Sequence, residues 1–588
     1  MAPQGRDLRT PYERSGYKAT PRYAETVGYL RMLEQFSPMV RITSIGVTPQ
    51  GREIPLVIVS ARKAFTPERA HAAGLPVVLV QSCIHAGEPD GKDASLMLIR
   101  DIAVTKSLAG LADRAVLLFL PMMNPDGHER RSPYHRINQN GPEEQGWRTT
   151  AQNLNLNRDF MKADAPEMRA WLGMYNSWAP ELLIDCHVTD GIDFQYNLTY
   201  SMEMYENCPR PVVEWQERLR TAFEREMEGQ GDPVFPYVFP REDKDLSKGI
   251  MTGAASPRFS TGYAAVRDRA AILIETHMLK PYRDRVTAMY RLLAAVFRFV
   301  DRDPNALVDA VRRGEEETIR ALSRAPDTVF VPLTFRRTER ARPVEFLGYA
   351  STVRKSEISG GEYPVWDHGK PLRVTIPFYD DVKPDRLARV PTAYLIPREW
   401  TAVIDVLRAH GLRLDRLSSP VRIPVETVVF TRAEWRASPY EGRHPVNTEF
   451  RTRTDTIDYD AGTWVLRPAQ RGGRTAVHLL EPGGPDSFVQ WGFFDTIFEQ
   501  KEYYEPYVME EIAARMLAVD TSLRRAFDAH LAADSSFARN PRARLNFFWE
   551  RSPWYDPKLN VYPVGKYYGT EPLPCTPAPS DGGRRRRR

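Results

Sequence analysis

Hydrophobic and polar positions along this chain fall into two textures. Up to about residue 300, short apolar runs of strand length alternate with stretches in which apolar residues recur every three to four positions. The runs Val77-Val78-Leu79-Val80, Leu182-Leu183-Ile184 and Ala270-Ala271-Ile272-Leu273-Ile274 are apolar at consecutive positions, the pattern of strands buried on both faces. Helical periodicity marks Ala24 to Phe36, Asp93 to Ile102, Ala165 to Trp178, Pro211 to Glu228 and Tyr282 to Val300. Alternating strands and helices predict an α/β fold, a mixed, mostly parallel open sheet with helices on both faces. A charged helical stretch from Leu307 to Ser323 leads to a break at Ala325-Pro326-Asp327. From Thr328 the texture changes to short β-like runs rich in Pro and Gly, such as Val374 to Pro377 and Thr463 to Leu466. One βα unit interrupts them (Ala393 to Ile396, then Arg398 to His410), and a helix-rich segment runs from Phe493 to about Phe537. The expected organisation is a domain over residues 1–325, a β-rich α+β accessory domain over 326–580, and a disordered arginine tail over 581–588.

The chemistry sits where the first-half strands end. The run from Val77 closes on His85-Ala86-Gly87-Glu88, which presents an imidazole and a carboxylate three positions apart. Both are natural zinc ligands, and an open site needs one more protein ligand and a water. The spacing alone says little, because His478-Leu479-Leu480-Glu481 repeats it in what reads as an ordinary β segment. The first pair differs in having partners: Asp185-Cys186-His187 ends a second apolar run, 99 positions after Glu88, and Glu275 ends a third, 88 positions later. Three buried strands that each deliver a polar group at the carboxyl edge form a site in the crevice of an open sheet. Asp185 reads first as a strand-end cap, and alternatively as a group that orients a ligand or a neighbouring loop.

Further segments fall in a fixed order around these: Gly46 to Ile54, Asn124-Pro125-Asp126-Gly127, Arg136 to Gly141, and Asn155-Leu156-Asn157-Arg158-Asp159-Phe160. Together they resemble the catalytic domain of zinc metallocarboxypeptidases of the carboxypeptidase A type, over roughly residues 20 to 300. The resemblance implies one zinc per chain on His85, Glu88 and His187, with a water in the fourth position and Glu275 as the general base. It makes Arg136 the group that polarises the scissile carbonyl, and Asn157 with Arg158 the pair that holds a free C-terminal carboxylate. One departure stands out. The family places a mobile tyrosine about two dozen positions before the catalytic glutamate, and none is there. Tyr263, 12 positions upstream of Glu275, is either its substitute in substrate binding or a core aromatic. The same segment would line the side-chain pocket, where Arg258 or Arg267 would favour an acidic terminal residue.

Composition narrows the setting. The net charge of +5 equals the five arginines Arg584 to Arg588, so nothing supports nucleic-acid binding. Four cysteines in 588 residues imply no disulfide framework, and no run of 18 apolar residues would span a membrane. The chain opens on Met1-Ala2-Pro3-Gln4 without a signal-peptide pattern; a trimmed leader would place the protein outside the cytoplasm, and both locations stay open. The expected partner is a peptide with a free C-terminal carboxylate, and the oligomeric state is unread. The expected activity is C-terminal peptide-bond hydrolysis by a zinc-bound water that Glu275 activates. The alternatives are a zinc-dependent deacylase acting on small acyl-amino acids or peptidoglycan peptides and, more remotely, a non-catalytic binding module, which would have lost a ligand or the base. The second half carries no recognisable catalytic constellation.

Overall fold

The computed structural model describes residues 7–243, 245–324 and 328–577; the Ala325-Pro326-Asp327 break and the arginine tail lie outside them. Eight strands form the first-half sheet: β1 (Val40–Val47), β2 (Glu53–Val59), β3 (Val77–Ser82), β4 (Val116–Leu120), β5 (Leu182–Thr189), β6 (Leu198–Ser201), β7 (Phe235–Pro236) and β8 (Ala270–His277). Their spatial order is β1-β2-β4-β3-β5-β8-β6-β7. The centre, β4-β3-β5-β8, is parallel, while β1, β2 and β6 join antiparallel. The sheet is mixed and mostly parallel, as the apolar runs predict.

Both faces of that sheet are covered, which is why β3, β4 and β5 could afford no polar alternation: every residue of each is buried. One face packs on the helices Tyr23–Phe36, Asp90–Ala103, Arg210–Gly229 and Tyr282–Arg302, through side chains such as Val78, Val80, Leu98, Trp215 and Leu292. The other face packs on Pro166–Trp178 and Ser260–Val266, and its core does not stop at the first half. Leu79, Trp171, Tyr175 and Tyr263 share one apolar cluster with Tyr394, Ile404, Leu407, Trp464 and Tyr562.

The second half is β-rich, built on a seven-stranded sheet that includes Val421–Trp435, Val446–Tyr459, Ala393–Ile396 and Trp464–Leu466. One run read as short belongs to a long ribbon, whereas Trp464–Leu466 is the short strand its run predicts. Val374 to Pro377 lies inside Glu362–Tyr379, an 18-residue strand paired with Arg342–Lys355. Their outer residues face solvent on both sides, so they carry no amphipathic alternation. The segment holding His478 is also corrected: Gly473–Leu480 is a helix, not a strand. Its continuous apolar run is buried all round rather than on a pleat. The closing helices Pro506–Val519, Thr521–Ala533, Ser535–Arg539 and Pro541–Trp549 have a small core of their own around Phe527 and Phe548.

Candidate active site

Parallel register places the site. In the β5–β8 pair Glu275 stands opposite His187, and in the β3–β5 pair Ser82 stands opposite Cys186. The turn leaving β3 and the carboxyl ends of β5 and β8 therefore converge at one edge of the sheet. Cys83 begins that turn with φ 54°, and Gly87 is required within it. A Cβ at Gly87 would lie 2.7 Å from the Gly146 carbonyl oxygen and 2.8 Å from Arg136 Cγ, so only glycine lets the ligand turn and the Arg136 loop stack.

The converging atoms form a donor set. His85 Nδ1 lies 3.0 Å from Glu88 Oε1, and His187 Nδ1 lies 2.9 Å from Glu88 Oε2. One ligand atom from each of these three buried residues lies within 4.8 Å of the other two. The outer ring nitrogens are held separately: His85 Nε2 lies 3.2 Å from Asn155 Oδ1, and His187 Nε2 lies 3.0 Å from Asp185 Oδ2. The Asn155 contact is of the kind that fixes a tautomer and leaves the His85 Nδ1 lone pair free for a metal, while Asp185 sits at ion-pair distance from the His187 ring. Two imidazoles and a carboxylate are a donor set zinc takes, with a position left open. The residues fit the ion. Of the two readings of Asp185, the strand-end cap is corrected: it is buried within β5, and its carboxylate lies against the His187 ring, as the alternative reading has it. Burial would lower the His187 pKa, but Asp185 and Glu88 outweigh it and raise it well above the ordinary value.

These side chains open onto a cleft of about 850 Å³ lined also by Arg136, Arg148, Asn157, Arg158, Tyr237 and Glu275. Burial pushes Glu275 up to about 8, with His187 opposing and Glu88, Asp185 and Asp190 adding to the rise. Arg136, held at φ 54°, brings Nη2 to 2.8 Å from Glu88 Oε1. Asn157 follows Asn155 in a short turn, Leu156–Arg158, and its buried Oδ1 meets no donor among the described residues. Arg158 donates Nη1 to the Asn157 carbonyl at 2.8 Å and stacks 4.4 Å over the Phe259 ring, which fixes its fork at the cleft wall.

Tyr263 as a substrate-binding residue is corrected. It is fully buried in the core shared by the two halves, and its hydroxyl lies 2.9 Å from His410 Nδ1. Tyr237, half-buried and 38 positions before Glu275, lines the cleft instead. Its hydroxyl is held above the ordinary phenol range by burial and by Glu275. Arg258 and Arg267 are likewise corrected. Arg258 donates to Asp486 Oδ1 at 2.7 Å, and Arg267 is buried against the His410 carbonyl and Asn176. Tyr237, Arg148, Asn155 and Asp486 are the residues that sequence reasoning missed.

The second half buttresses the cleft. Asp486 takes both Arg258 and the Ser256 hydroxyl, Arg443 makes a two-pronged pair with Asp164 at 2.7 Å, and Glu441 accepts from the Asn155 backbone N–H.

This fold and donor set define a metal-dependent hydrolase. Residues 27–194 match the family model described as zinc carboxypeptidase, and this part of the chain is a zinc carboxypeptidase domain. Carboxypeptidase 2 of Trichophyton tonsurans is 22% identical over 459 residues, covering 75% of this chain and 78% of that one. Carboxypeptidase 2 of Trichophyton rubrum is 22% identical over 490 residues, covering 80% and 84%. Both matches span more than residues 1–325. Among solved structures, a metallo-carboxypeptidase from Burkholderia cenocepacia is similar at 20% identity and a TM-score of 0.36, covering 47% of this chain and 69% of that one. The carboxypeptidase A of Helicoverpa armigera is similar at 16% identity and 0.36, covering 51% and 75%. No helix among the described residues is long and apolar enough to cross a membrane.

Proposed function

We propose that the protein removes residues one at a time from the free C-terminus of peptides, using one zinc per chain on His85, Glu88 and His187. The observation that carries this reading is the convergence of the two Nδ1 atoms and the Glu88 carboxylate beside Glu275, in a cleft that also holds Asn157 and Arg158. When bound, zinc supplies Lewis-acid polarisation and a water made acidic near neutral pH. Glu275 accepts the proton of the attacking water and delivers it to the amine nitrogen as the C–N bond breaks, so one water is added across the peptide bond. Arg136 donates to the scissile carbonyl oxygen as negative charge develops on it. Arg158 grips the terminal carboxylate in two parallel hydrogen bonds, and the Asn157 side chain adds a further polar contact. Tyr237 lines the same cleft near Glu275.

Amidating the C-terminus of a good substrate tests the reading. Arg158 would then face a neutral group, and kcat/KM should fall by about 2–3 kcal/mol, which is roughly 30- to 150-fold. Equal rates on free and amidated peptides would instead favour an endopeptidase or a small-molecule deacylase.

A further inference from the structure

The cleft holds more cationic side chains than the proposed reaction uses. Arg136 and Arg158 have roles in it. Arg148 and Arg337 do not, yet both line the same cleft. Arg148 lies 3.6 Å from Glu88 Oε1, a carboxylate already met by two imidazoles and by Arg136. Arg337 comes from the second half, on the short strand Phe335–Arg337. It is exposed and donates Nη1 only weakly, at 3.4 Å, to the Thr252 carbonyl. No carboxylate among the described residues forms an ion pair with it.

The placement of Arg337 decides what it can meet. Arg158 stacks on Phe259, so the grip on the terminal carboxylate lies against segment 252–261. The side chain of the released residue hangs from the same Cα as that carboxylate and must face this segment. The cleft-lining residues here are small (Gly253, Ala254, Ala255, Ser256, Ser260), and Arg337 overhangs the Thr252–Gly253 end. The two carboxyls behind this segment are not available to a basic side chain: buried Asp486 is taken by Arg258 and the Ser256 hydroxyl. Glu203 is buried, accepts from the Ala255 N–H and the Asn207 amide, and is pushed up to about 7 by burial.

We propose that the enzyme prefers peptides ending in an acidic residue, with Arg337 as the specificity-determining cation that meets the side-chain carboxylate. This rests on the carboxypeptidase reading above. Arg148 adds a further positive charge to the same cleft. The second half thereby supplies a substrate contact as well as support.

The test uses the zinc-loaded full-length chain and three benzoyl-glycyl dipeptides ending in Glu, Leu and Lys. The expected order of kcat/KM is Glu above Leu above Lys. Arg337→Ala should lower the Glu-to-Leu ratio about tenfold, and Arg337→Glu should place Lys above Glu, because a solvent-facing charge-assisted contact is replaced by none or by its opposite. In the unaltered enzyme the Glu preference should shrink as salt rises from 0.05 to 0.5 M, added amounts that shorten the screening length severalfold. Preference for Leu or Lys, or a Glu-to-Leu ratio unmoved by both substitutions, would overturn the proposal alone. Hydrolysis of none of the three would overturn the carboxypeptidase reading and this inference with it.

Discussion

Two stretches of this chain carry the same His-x-x-Glu spacing and do opposite things. In the first, the residues leave the end of β3 in a turn, and His85 Nδ1 and Glu88 Oε1 face each other at 3.0 Å with His187 beside them. In the second, His478 lies on a buried helix and its Nδ1 meets no partner among the described residues. Glu481 turns away, accepting from the Tyr394 hydroxyl at 2.8 Å and from Lys566 Nζ at 3.2 Å. A metal-binding pair is thus defined less by its spacing than by what the backbone does after the histidine. A turn at a sheet edge brings both side chains to an open crevice. A helix end lets the carboxylate find an internal cation.

The largest expected effect tests that contrast at the metal. His187→Ala should abolish both zinc content and activity, whereas His478→Gln should leave one zinc per folded chain; elemental analysis beside a peptidase assay reads both. Loss of stoichiometric zinc in the second variant would erase the distinction. Next comes Glu275→Gln, which keeps shape while removing the proton acceptor. Zinc content should stay near one, and kcat should fall by about 10²–10⁴. Near-normal turnover would mean another group moves the proton.

Glu481→Gln addresses the other pair. It takes one of two carboxylates from buried Lys566, which keeps Glu426 Oε1 at 2.7 Å, and it weakens the Tyr394 hydrogen bond, a loss of about 2 kcal/mol in unfolding free energy with metal content untouched. A thermal or denaturant midpoint indistinguishable from the parent would show that Glu481 is not the structural anchor the contrast needs. The last effect, seen only as a change of slope with pH, concerns Glu203, a buried carboxyl with neither metal nor cation. Burial raises it from 4.5 to about 7. Between those values the folded chain keeps a proton that the unfolded chain has lost, so stability is full below about pH 4.5 and declines as pH rises toward 7. Glu203→Gln should flatten that decline, raising the unfolding free energy at pH 8 relative to pH 5 by up to about 3 kcal/mol. A slope unchanged by the substitution would assign it to other groups.

The parts of the site legible in the sequence are those borne by the central strands. Buried parallel strands must be apolar throughout, so a polar residue at the end of such a run stands out, and His85, Glu88, His187 and Glu275 were readable for that reason. Arg136, Asn157 and Arg158 were readable only through an ordered resemblance, and the structure does place them in the same cleft. The residues that escaped depend on tertiary placement. Tyr237 follows the short edge strand β7, in a region that pairs with a second-half ribbon. Arg337 arrives from more than 60 positions beyond Glu275. Asp185 looked like a cap because sequence shows where an apolar run ends, not where the ladder ends; β5 continues to Thr189. Tyr263 pointed into a core whose other wall lies past residue 390.

That shared core also imposes an order in time. Chains emerge from the ribosome N-terminus first, so every residue named here as a zinc ligand or proton carrier is synthesised before Tyr394, His410 or Trp464 exists. Until those arrive, the sheet face bearing Trp171, Tyr175 and Tyr263 has no cover, and the Tyr263 hydroxyl has no imidazole to meet. Asp486, which pins the segment beside Arg158, comes later still. A nascent chain holding all the chemistry is thus an unfinished solid with one side missing, and its competence to cut peptides is deferred until nearly the whole polypeptide has been made.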